Sequence, residues 1–291
     1  MTTLREYLSL VRFSHSVFAL PFALCGAWLA SGGVPPPRAL VLVVGCAVAA
    51  RTAAMAFNRL VDRGIDARNP RTRARELPTG RVSAAAAAAL VALASLAFVV
   101  LAFALNRLAG ILSVPVLAVL LFYSYVKRFS SSAHFVLGLS LALAPLGAWI
   151  AVRGALGGGG TPSVLWLAGA VLTWVAGFDL IYACQDVEFD RRARLHSIPA
   201  KLGVGRALAL SSALHAGTVL CLVLVGRSAH LSFIWWGAVL VAAALLAWEH
   251  SLVSEEDLSR VNAAFFTVNG WVSVLLFAGL ALDRGVLGGG A

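Results

Sequence analysis

The chain has 291 residues, of which 60% are hydrophobic and 12% are charged, and its mean hydropathy is +0.88. Soluble domains contain about 25% charged residues, so this composition excludes a soluble core as well as a secreted disulfide scaffold. The formal net charge of +10 does not indicate a nucleic-acid partner, because the basic residues lie in short loops between apolar segments. An anionic lipid surface or an anionic substrate fits this charge better.

Nine apolar segments follow one another along the chain, and each is close to the about 20 residues that a helix needs to cross a bilayer. They are residues 14–32, 39–61, 84–106, 108–126, 133–152, 163–185, 207–226, 231–250 and 262–282. Their length and Ala/Leu content exclude barrel strands, which need only about ten alternating residues. The sequence therefore predicts an all-α, polytopic membrane protein with nine transmembrane helices around a central cavity, and one domain over residues 1–291.

The placement of Lys and Arg predicts the orientation in the membrane. Most of these residues fall in the N-terminal segment and in the loops that follow the even-numbered spans. The positive-inside rule then places the N-terminus and these loops on the cytoplasmic side of the inner membrane. Two of the loops, residues 62–82 and 186–206, are longer and more basic than the others. Residues 1–12 are a poor signal-peptide n-region, so we expect the first span to be retained.

Acidic residues carry the strongest functional pattern, because five of the seven aspartates form two clusters where the long basic loops begin. Each cluster falls on one face of its helix, since the spacings are i, i+4, i+8 and i, i+7, i+11. Carboxylate and amide oxygens suit magnesium, which commonly bridges protein carboxylates to substrate phosphate. The alternative is that the carboxylates only balance nearby arginines at the membrane edge. The residues are Asn58, Asp62 and Asp66, then Asp179, Asp186 and Asp190.

Basic side chains close to both clusters could bind phosphate oxygens and offset the charge of a departing diphosphate. For each of them, membrane topology alone is an equally open explanation. These residues are Arg63, Arg71, Arg73, Arg75, Arg192, Arg194, His196 and Lys201.

Arg51 differs from the other basic residues because it lies inside the second span. It precedes Asn58 by seven residues and therefore lies on the same helix face. A charge at this depth indicates function, and an anionic acceptor group such as a carboxylate is a suitable partner. The alternative is a buried ion pair with one of the aspartates.

At these residues the sequence resembles the UbiA-type intramembrane aromatic prenyltransferases. Residues 58–66, continuing through Arg71 and Arg75 to residues 77–80, resemble the first aspartate-rich motif of that family, and residues 182–190 resemble the second. The resemblance covers essentially the whole chain. The sequence departs from the family pattern in two places, which leave one metal ligand missing and the loop geometry open. These are Arg59, where many members have Asp, and Glu76, where Pro is usual.

The resemblance implies a magnesium-dependent enzyme that transfers a polyprenyl group from a polyprenyl diphosphate to an aromatic ring. It implies that the metal and diphosphate ligands are Asn58, Asp62, Asp66, Asp186 and Asp190. Arg71, Arg75 and His196 would lie near the phosphates, and Lys201 is added to them from its place in the same loop. Asp179 lies two turns deeper on the same face as its cluster, and we predict that it orients or deprotonates the acceptor. Asp179 and Arg51 are the predicted catalytic residues.

The predicted acceptor is an aromatic carboxylic acid. His15 at the start of the first span, with the pairs 178–179 and 185–186, resembles the quinone-pathway members and favours the dihydroxynaphthoate of the futalosine-derived menaquinone branch. The 4-hydroxybenzoate of ubiquinone synthesis is the alternative, and both acids carry a carboxylate that suits Arg51. The predicted partners are thus polyprenyl diphosphate, the aromatic acid and membrane lipid.

Aromatic side chains near the motifs could stabilise an allylic cation. Ordinary packing or an interfacial belt is the alternative for each of them. The residues are Phe57, Tyr123, Tyr125, Phe178 and Tyr182.

Two other classes of membrane protein remain as alternatives. A CDP-alcohol phosphotransferase would carry one denser motif, whereas these aspartates are split between two distant clusters. A secondary transporter that uses intramembrane Asp and Arg for ion coupling would show Gly/Pro-broken helices at mid-span in both halves. Here the charges cluster at one membrane face.

Overall fold

The computed structural model describes residues 4–11 and 19–287, and these contain helices and no β-strand, as predicted. In chain order the α-helices are α1 (Leu4–Leu10), α2 (Leu20–Ser31), α3 (Pro37–Asp66), α4 (Ala84–Leu105), α5 (Arg107–Val126), α6 (Ala133–Arg153), α7 (Thr161–Ala183), α8 (Val187–Ala193), α9 (Ile198–Leu202), α10 (Val204–Ser228), α11 (Phe233–Ser251), α12 (Val261–Ala263) and α13 (Asn269–Leu282). A 3₁₀ turn (Cys184–Asp186) links α7 to α8, and π-helical turns occupy Ala264–Val268 and Asp283–Leu287.

Eight helices in the described part of the chain are long and apolar enough to cross a membrane, and they correspond to the second to ninth predicted spans. The first predicted span, 14–32, begins among residues outside the described part. Its described portion is the shorter apolar helix α2 (Leu20–Ser31). The protein is therefore an all-α integral membrane protein, while the count of nine spans stays a prediction.

Asn106 forms the narrow boundary between α4 and α5. Its extended backbone ends α4, and its side chain then accepts a hydrogen bond from Ala109 N (2.8 Å), which caps α5. Its amide group donates to Ile150 O and Ala151 O of α6, each at 3.0 Å. One side chain therefore separates two helices and ties both of them to a third.

Close contacts between helix backbones pack α6 against both α7 and α2. A Cβ atom on Gly138 of α6 would overlap Leu172 O of α7, and one on Gly26 of α2 would overlap the backbone of Pro145. Small residues permit such close approach between membrane helices. Three fully buried tryptophans fill the core around α7, and they are Trp149, Trp174 and Trp235.

Helix α1 packs on the loop that follows α3. Its Leu10 is 0% exposed and lies in one apolar cluster with Ala56 and Val82. Ser9 Oγ donates to Glu76 Oε1 at 2.5 Å. The glutamate that departs from the family pattern is thus a buried anchor for α1, which gives position 76 a structural role.

Candidate functional site

A cavity of about 740 Å³ opens between the helices, in agreement with the predicted central cavity. Most of its lining is apolar and comes from α2 to α7. Eight of the residues singled out in the sequence line it, and they are Arg51, Asn58, Arg59, Arg75, Tyr123, Phe178, Asp179 and Tyr182. The cavity also extends to Leu105 and Ala109, at the opposite ends of the helices from the motifs. It therefore offers a long apolar space with polar groups near one end.

The two aspartate-rich motifs meet at the end of α7. Arg71 Nε donates to Asp186 Oδ1 at 3.0 Å across a separation of 115 residues, and its Nη2 forms an ion pair with Oδ2. Asn69 Nδ2 also donates to Asp186 Oδ1 (3.1 Å). Arg71 Nη1 donates to the Tyr182 hydroxyl at 2.7 Å. The two motifs therefore converge, as a shared binding site requires.

The electrostatic environment keeps Arg71 charged. Burial lowers the pKa of its guanidinium group, but the hydrogen bonds to Asp186 and Tyr182 and the charge of Asp186 outweigh that effect. The pKa therefore lies above its ordinary value. A cation that is both charged and partly exposed is well suited to an incoming phosphate.

Asp62 and Asp66 of α3 are held by basic side chains. Asp62 is 1% exposed, accepts from Arg128 Nη2 (3.0 Å) and forms an ion pair with Lys127 Nζ. Asp66 Oδ1 accepts from Arg75 Nη1 at 2.8 Å, whereas its Oδ2 is buried without a hydrogen-bond partner. Lys127 and Arg128 are not predicted as site residues from the sequence, and they serve there only to predict the orientation in the membrane. The signal for them was a Lys-Arg pair directly after the fourth span, at the same membrane face.

The predicted metal ligands offer the right chemistry without forming a closed cage. Among the described residues, no group of three or more His, Cys, Asp or Glu side chains is placed to hold a metal ion. Asn58 Nδ2 donates to Asp62 Oδ2 (3.2 Å), so these two predicted ligands are adjacent. The buried Asp66 Oδ2 lacks a partner, and hard oxygen donors suit magnesium. The donor set therefore fits the ion, and its assignment stays a prediction.

Asp179 is paired with a histidine that was not predicted. His134 Nδ1 lies 2.7 Å from Asp179 Oδ2, and its Nε2 accepts from Ile198 N at 3.4 Å. Because Nε2 faces a donor, the ring proton is assigned to Nδ1, where it points at the carboxylate. The ring itself is buried. Its position at the start of the fifth predicted span, on the membrane face of the motifs, was the available signal.

Arg51 lies in the cavity wall. Its Nε is buried with no hydrogen-bond partner, and the described residues form no ion pair with it. The described part of the chain therefore does not show the alternative, which is a buried ion pair between Arg51 and an aspartate. A desolvated guanidinium group beside a cavity can bind an anionic ligand there.

Other predicted residues lie apart from this geometry. His196 and Lys201 are exposed and do not line the cavity, and His196 contacts the site only through its backbone N–H, which donates to Lys127 O at 2.7 Å. Asp190 is also absent from the cavity lining. His15 lies outside the described residues.

The predicted aromatic residues divide into two groups. Tyr123, Phe178 and Tyr182 line the cavity. Phe57 and Tyr125 are absent from its lining and pack against each other, with ring centroids 5.9 Å apart. Phe57 and Tyr125 therefore have an ordinary packing role.

Comparisons with known proteins agree with one another. A family model described as the UbiA prenyltransferase family matches residues 19–272. The 4-hydroxybenzoate octaprenyltransferase of Nitrosomonas europaea is 31% identical over 293 residues, covering 96% of this chain and 95% of that protein. The apo structure of a UbiA homologue from Aeropyrum pernix K1 is 35% identical with a TM-score of 0.84, covering 93% of this chain and 98% of its own. A homologue from Archaeoglobus fulgidus, bound to DMAPP and Mg²⁺, shares the fold at 21% identity and a TM-score of 0.75, covering 96% and 99% of the two chains.

Proposed function

Because the chain belongs to the UbiA prenyltransferase family, as its two motifs predicted, we propose that it transfers a polyprenyl group from polyprenyl diphosphate to an aromatic carboxylic acid. The observation that carries this proposal is the contact between Arg71 and Asp186, which joins the two motifs beside an apolar cavity. The cavity can take the isoprenoid, while the motifs offer groups for the diphosphate. Membership of this family leaves the ion-coupled transporter without support.

The charged end of the substrate would bind at the two motifs. Magnesium held by Asn58, Asp62, Asp66, Asp186 and Asp190 would neutralise charge on the diphosphate and so make it a better leaving group. Arg71 and Arg75 would exchange their carboxylate partners for phosphate oxygens, and we propose the same role for His196 and Lys201 in the second long loop. The allylic C–O bond then breaks, and its electron pair leaves with the diphosphate.

The acceptor would lie deeper in the cavity, between Arg51 and Asp179. Arg51 would bind the acceptor carboxylate, since it is otherwise without an ion pair in the described part of the chain. A ring carbon bonds to the allylic carbon, and Asp179 takes up the proton that the acceptor loses. His134 orients that carboxylate through Nδ1. Arg51 and Asp179 thus define where the aromatic ring must lie.

Two acceptors fit this arrangement. The relatives named 4-hydroxybenzoate octaprenyltransferase support 4-hydroxybenzoate and a step in ubiquinone synthesis. The residue pairs 178–179 and 185–186 support a dihydroxynaphthoate and a step in menaquinone synthesis.

We further propose that residues 1–291 form one domain in the inner membrane. Its N-terminus and site loops would lie on the cytoplasmic side.

The direct test uses purified protein in detergent with labelled polyprenyl diphosphates, magnesium and a panel of aromatic acids. We expect diphosphate release that requires both magnesium and an acceptor, and a product whose mass is the sum of the acid and the prenyl group minus a proton. The mass identifies both substrates. Absence of any prenylated product across chain lengths and acids would contradict the proposal.

A further inference from the structure

A cluster of buried polar side chains lies within the membrane-spanning helices, apart from the aspartate motifs. Glu249 of α11 and Asn269 of α13 are both 0% exposed. Asn269 Nδ2 donates to Glu249 Oε1 at 2.7 Å, and Trp174 Nε1 of α7 donates to Asn269 Oδ1 at 2.6 Å. Polar groups within a membrane are costly, and an ionisable one there indicates function by default.

The asparagine of this cluster also supports the backbone of a π-helical turn. That turn, Ala264–Val268, directly precedes α13. Asn269 Nδ2 lies within hydrogen-bond distance of Ala264 O (3.2 Å) and Phe265 O (3.3 Å). Turns of this type disturb the ordinary helical hydrogen bonding and occur frequently at functional sites. The side chain therefore stabilises a backbone shape that a regular helix would not adopt.

The π-helical turn places two phenylalanines in the cavity wall. Phe265 lies 4.2 Å from Tyr182 and 5.1 Å from Phe178, measured between ring centroids. Phe266 lies 4.6 Å from Phe265. All four rings line the cavity, and we call them the aromatic wall. Because the Tyr182 hydroxyl accepts from Arg71, this wall begins beside the predicted diphosphate site.

The polar cluster touches the aromatic wall from two sides. Asn269 bonds the backbone of Phe265, and the ring of Trp174 packs edge-on against Phe178 at 4.9 Å. We propose that Glu249, Asn269 and Trp174 are positioning residues that fix the aromatic wall against the allylic end of the isoprenoid. This inference rests on the proposed prenyl transfer.

The chemical purpose of such positioning is to protect the allylic cation. Aromatic rings attract a cation and also exclude water from it. If the wall shifts, a water molecule can bond to the allylic carbon and lose a proton, which yields prenyl alcohol instead of the prenylated acceptor. The ratio of these two products therefore measures how well the wall is placed.

Metal binding and the joining of helices are two alternative roles for this cluster. Two histidines complete it: His215 Nδ1 lies 3.0 Å from His250 Nε2 and 3.8 Å from Glu249 Oε2. The described residues nevertheless hold no group of three or more side chains arranged as a metal site. The remaining alternative is that the polar groups only join helices, as buried amides and hydroxyls often do in membranes.

The test measures the ratio of prenyl alcohol to prenylated acceptor in the magnesium-containing assay, because this ratio does not depend on how much protein folds. We expect Asn269→Leu to raise this ratio by about tenfold or more, since a misplacement of about 1 Å caused by a distant mutation can cost about 10²-fold. Phe265→Leu alters the wall directly and should give a similar increase. Trp174→Phe keeps an aromatic ring but loses the N–H donor, so it should shift the ratio in the same direction by less.

Conservative variants separate positioning from stability. Glu249→Gln keeps an accepting oxygen for Asn269 and should retain the wild-type ratio, whereas Glu249→Leu should raise the alcohol fraction. Thr218→Val is the matched control: it removes a buried hydrogen bond between α10 and α7, to Thr173 at 2.9 Å, away from the π-helical turn. We expect it to lower stability without changing the ratio.

The possible outcomes distinguish the two proposals. Wild-type protein that makes no prenylated acceptor would contradict the proposed function. Wild-type protein that couples normally, with the wild-type ratio kept in both Asn269→Leu and Trp174→Phe, would overturn the positioning role and leave only helix joining. If Asn269→Leu does not fold, the ratio in Trp174→Phe alone decides.

Discussion

The polar groups at the two-motif end of the molecule differ in kind from those of the buried cluster around Asn269. At the motif end, Asp62 and Asp186 are held by long basic side chains from distant loops, which remain partly exposed. In the buried cluster, the Asn269 amide bonds the Trp174 indole and the Glu249 carboxyl group, and all three groups are shielded from solvent. The first kind of contact can be exchanged for a ligand, whereas the second can only be kept or lost.

The largest expected effect comes from removing an exchangeable carboxylate. Asp186→Ala should reduce prenyl transfer by at least about 10³-fold, because the site loses both a predicted metal ligand and the partner of Arg71. Turnover with saturating magnesium, together with a thermal melt, checks this. Asp257→Ala is the control, since Asp257 is an exposed aspartate in a loop outside the site. Wild-type turnover in Asp186→Ala would exclude Asp186 from the site.

A smaller and more selective effect is expected at the deeper cation. Arg51→Ala should raise the KM for the aromatic acid about tenfold to a hundredfold, with little change in the KM for the prenyl diphosphate, because a charge-assisted contact to the carboxylate is lost. Arg51→Lys should recover part of that loss. Arg227→Ala removes an exposed cation in the last turn of α10, outside the cavity lining, and should change neither constant. Equal rises in both KM values would place Arg51 in the diphosphate site instead.

The histidine behind Asp179 should give a further, moderate effect. His134→Leu removes the donor to Asp179 and should lower kcat about tenfold, which is less than the about 10²–10⁴-fold contributed by a group that transfers the proton itself, because His134 acts through Asp179. His134→Asn can still present a donor near Nδ1 and should retain more activity. Comparing kcat and its pH profile in the two variants is the measurement. Identical losses in Leu and Asn would show that the ring acts through packing alone.

The smallest effect is expected far from the chemistry. Asn106→Ala removes the cap of α5 and two bonds to α6, so it should cost about 1–2 kcal/mol of stability. Thermal unfolding in detergent measures this, with Asn262→Ala, an exposed asparagine of α12, as the control. Activity at low temperature should be unchanged, and a large loss of turnover there would connect α4 and α5 to catalysis.

Local spacing was sufficient to predict the fold and the face of each aspartate motif. A helix repeats every 3.6 residues, so the positions of Asn58, Asp62 and Asp66 already fix a shared face. The family resemblance implied that the two motifs meet, and the structure shows Asn69 and Arg71, in the loop after α3, donating hydrogen bonds to Asp186.

Partners contributed by other helices could not be predicted in this way. Nothing local to Asp179 indicates His134, and nothing local to Asn269 indicates Glu249, because these pairs form only when distant helices pack. His196 is predicted to lie near the phosphates from its place in the basic loop and from the family resemblance. Arg194 ends α8 with a φ of 53°, which turns the chain there, and His196 then lies exposed beyond the cavity lining.

The single residue that joins α4 to α5 also fixes one part of the cavity wall. Leu105 and Ala109 line its far end on either side of Asn106, and the bonds from Asn106 to α6 prevent the two helices from spreading apart there. Asn106 therefore fixes the spacing of the two helices in this part of the wall. Under the proposed prenyl transfer, isoprenoid units that reach past this point would lie between helices and lipid, where the bilayer rather than the protein would accommodate them.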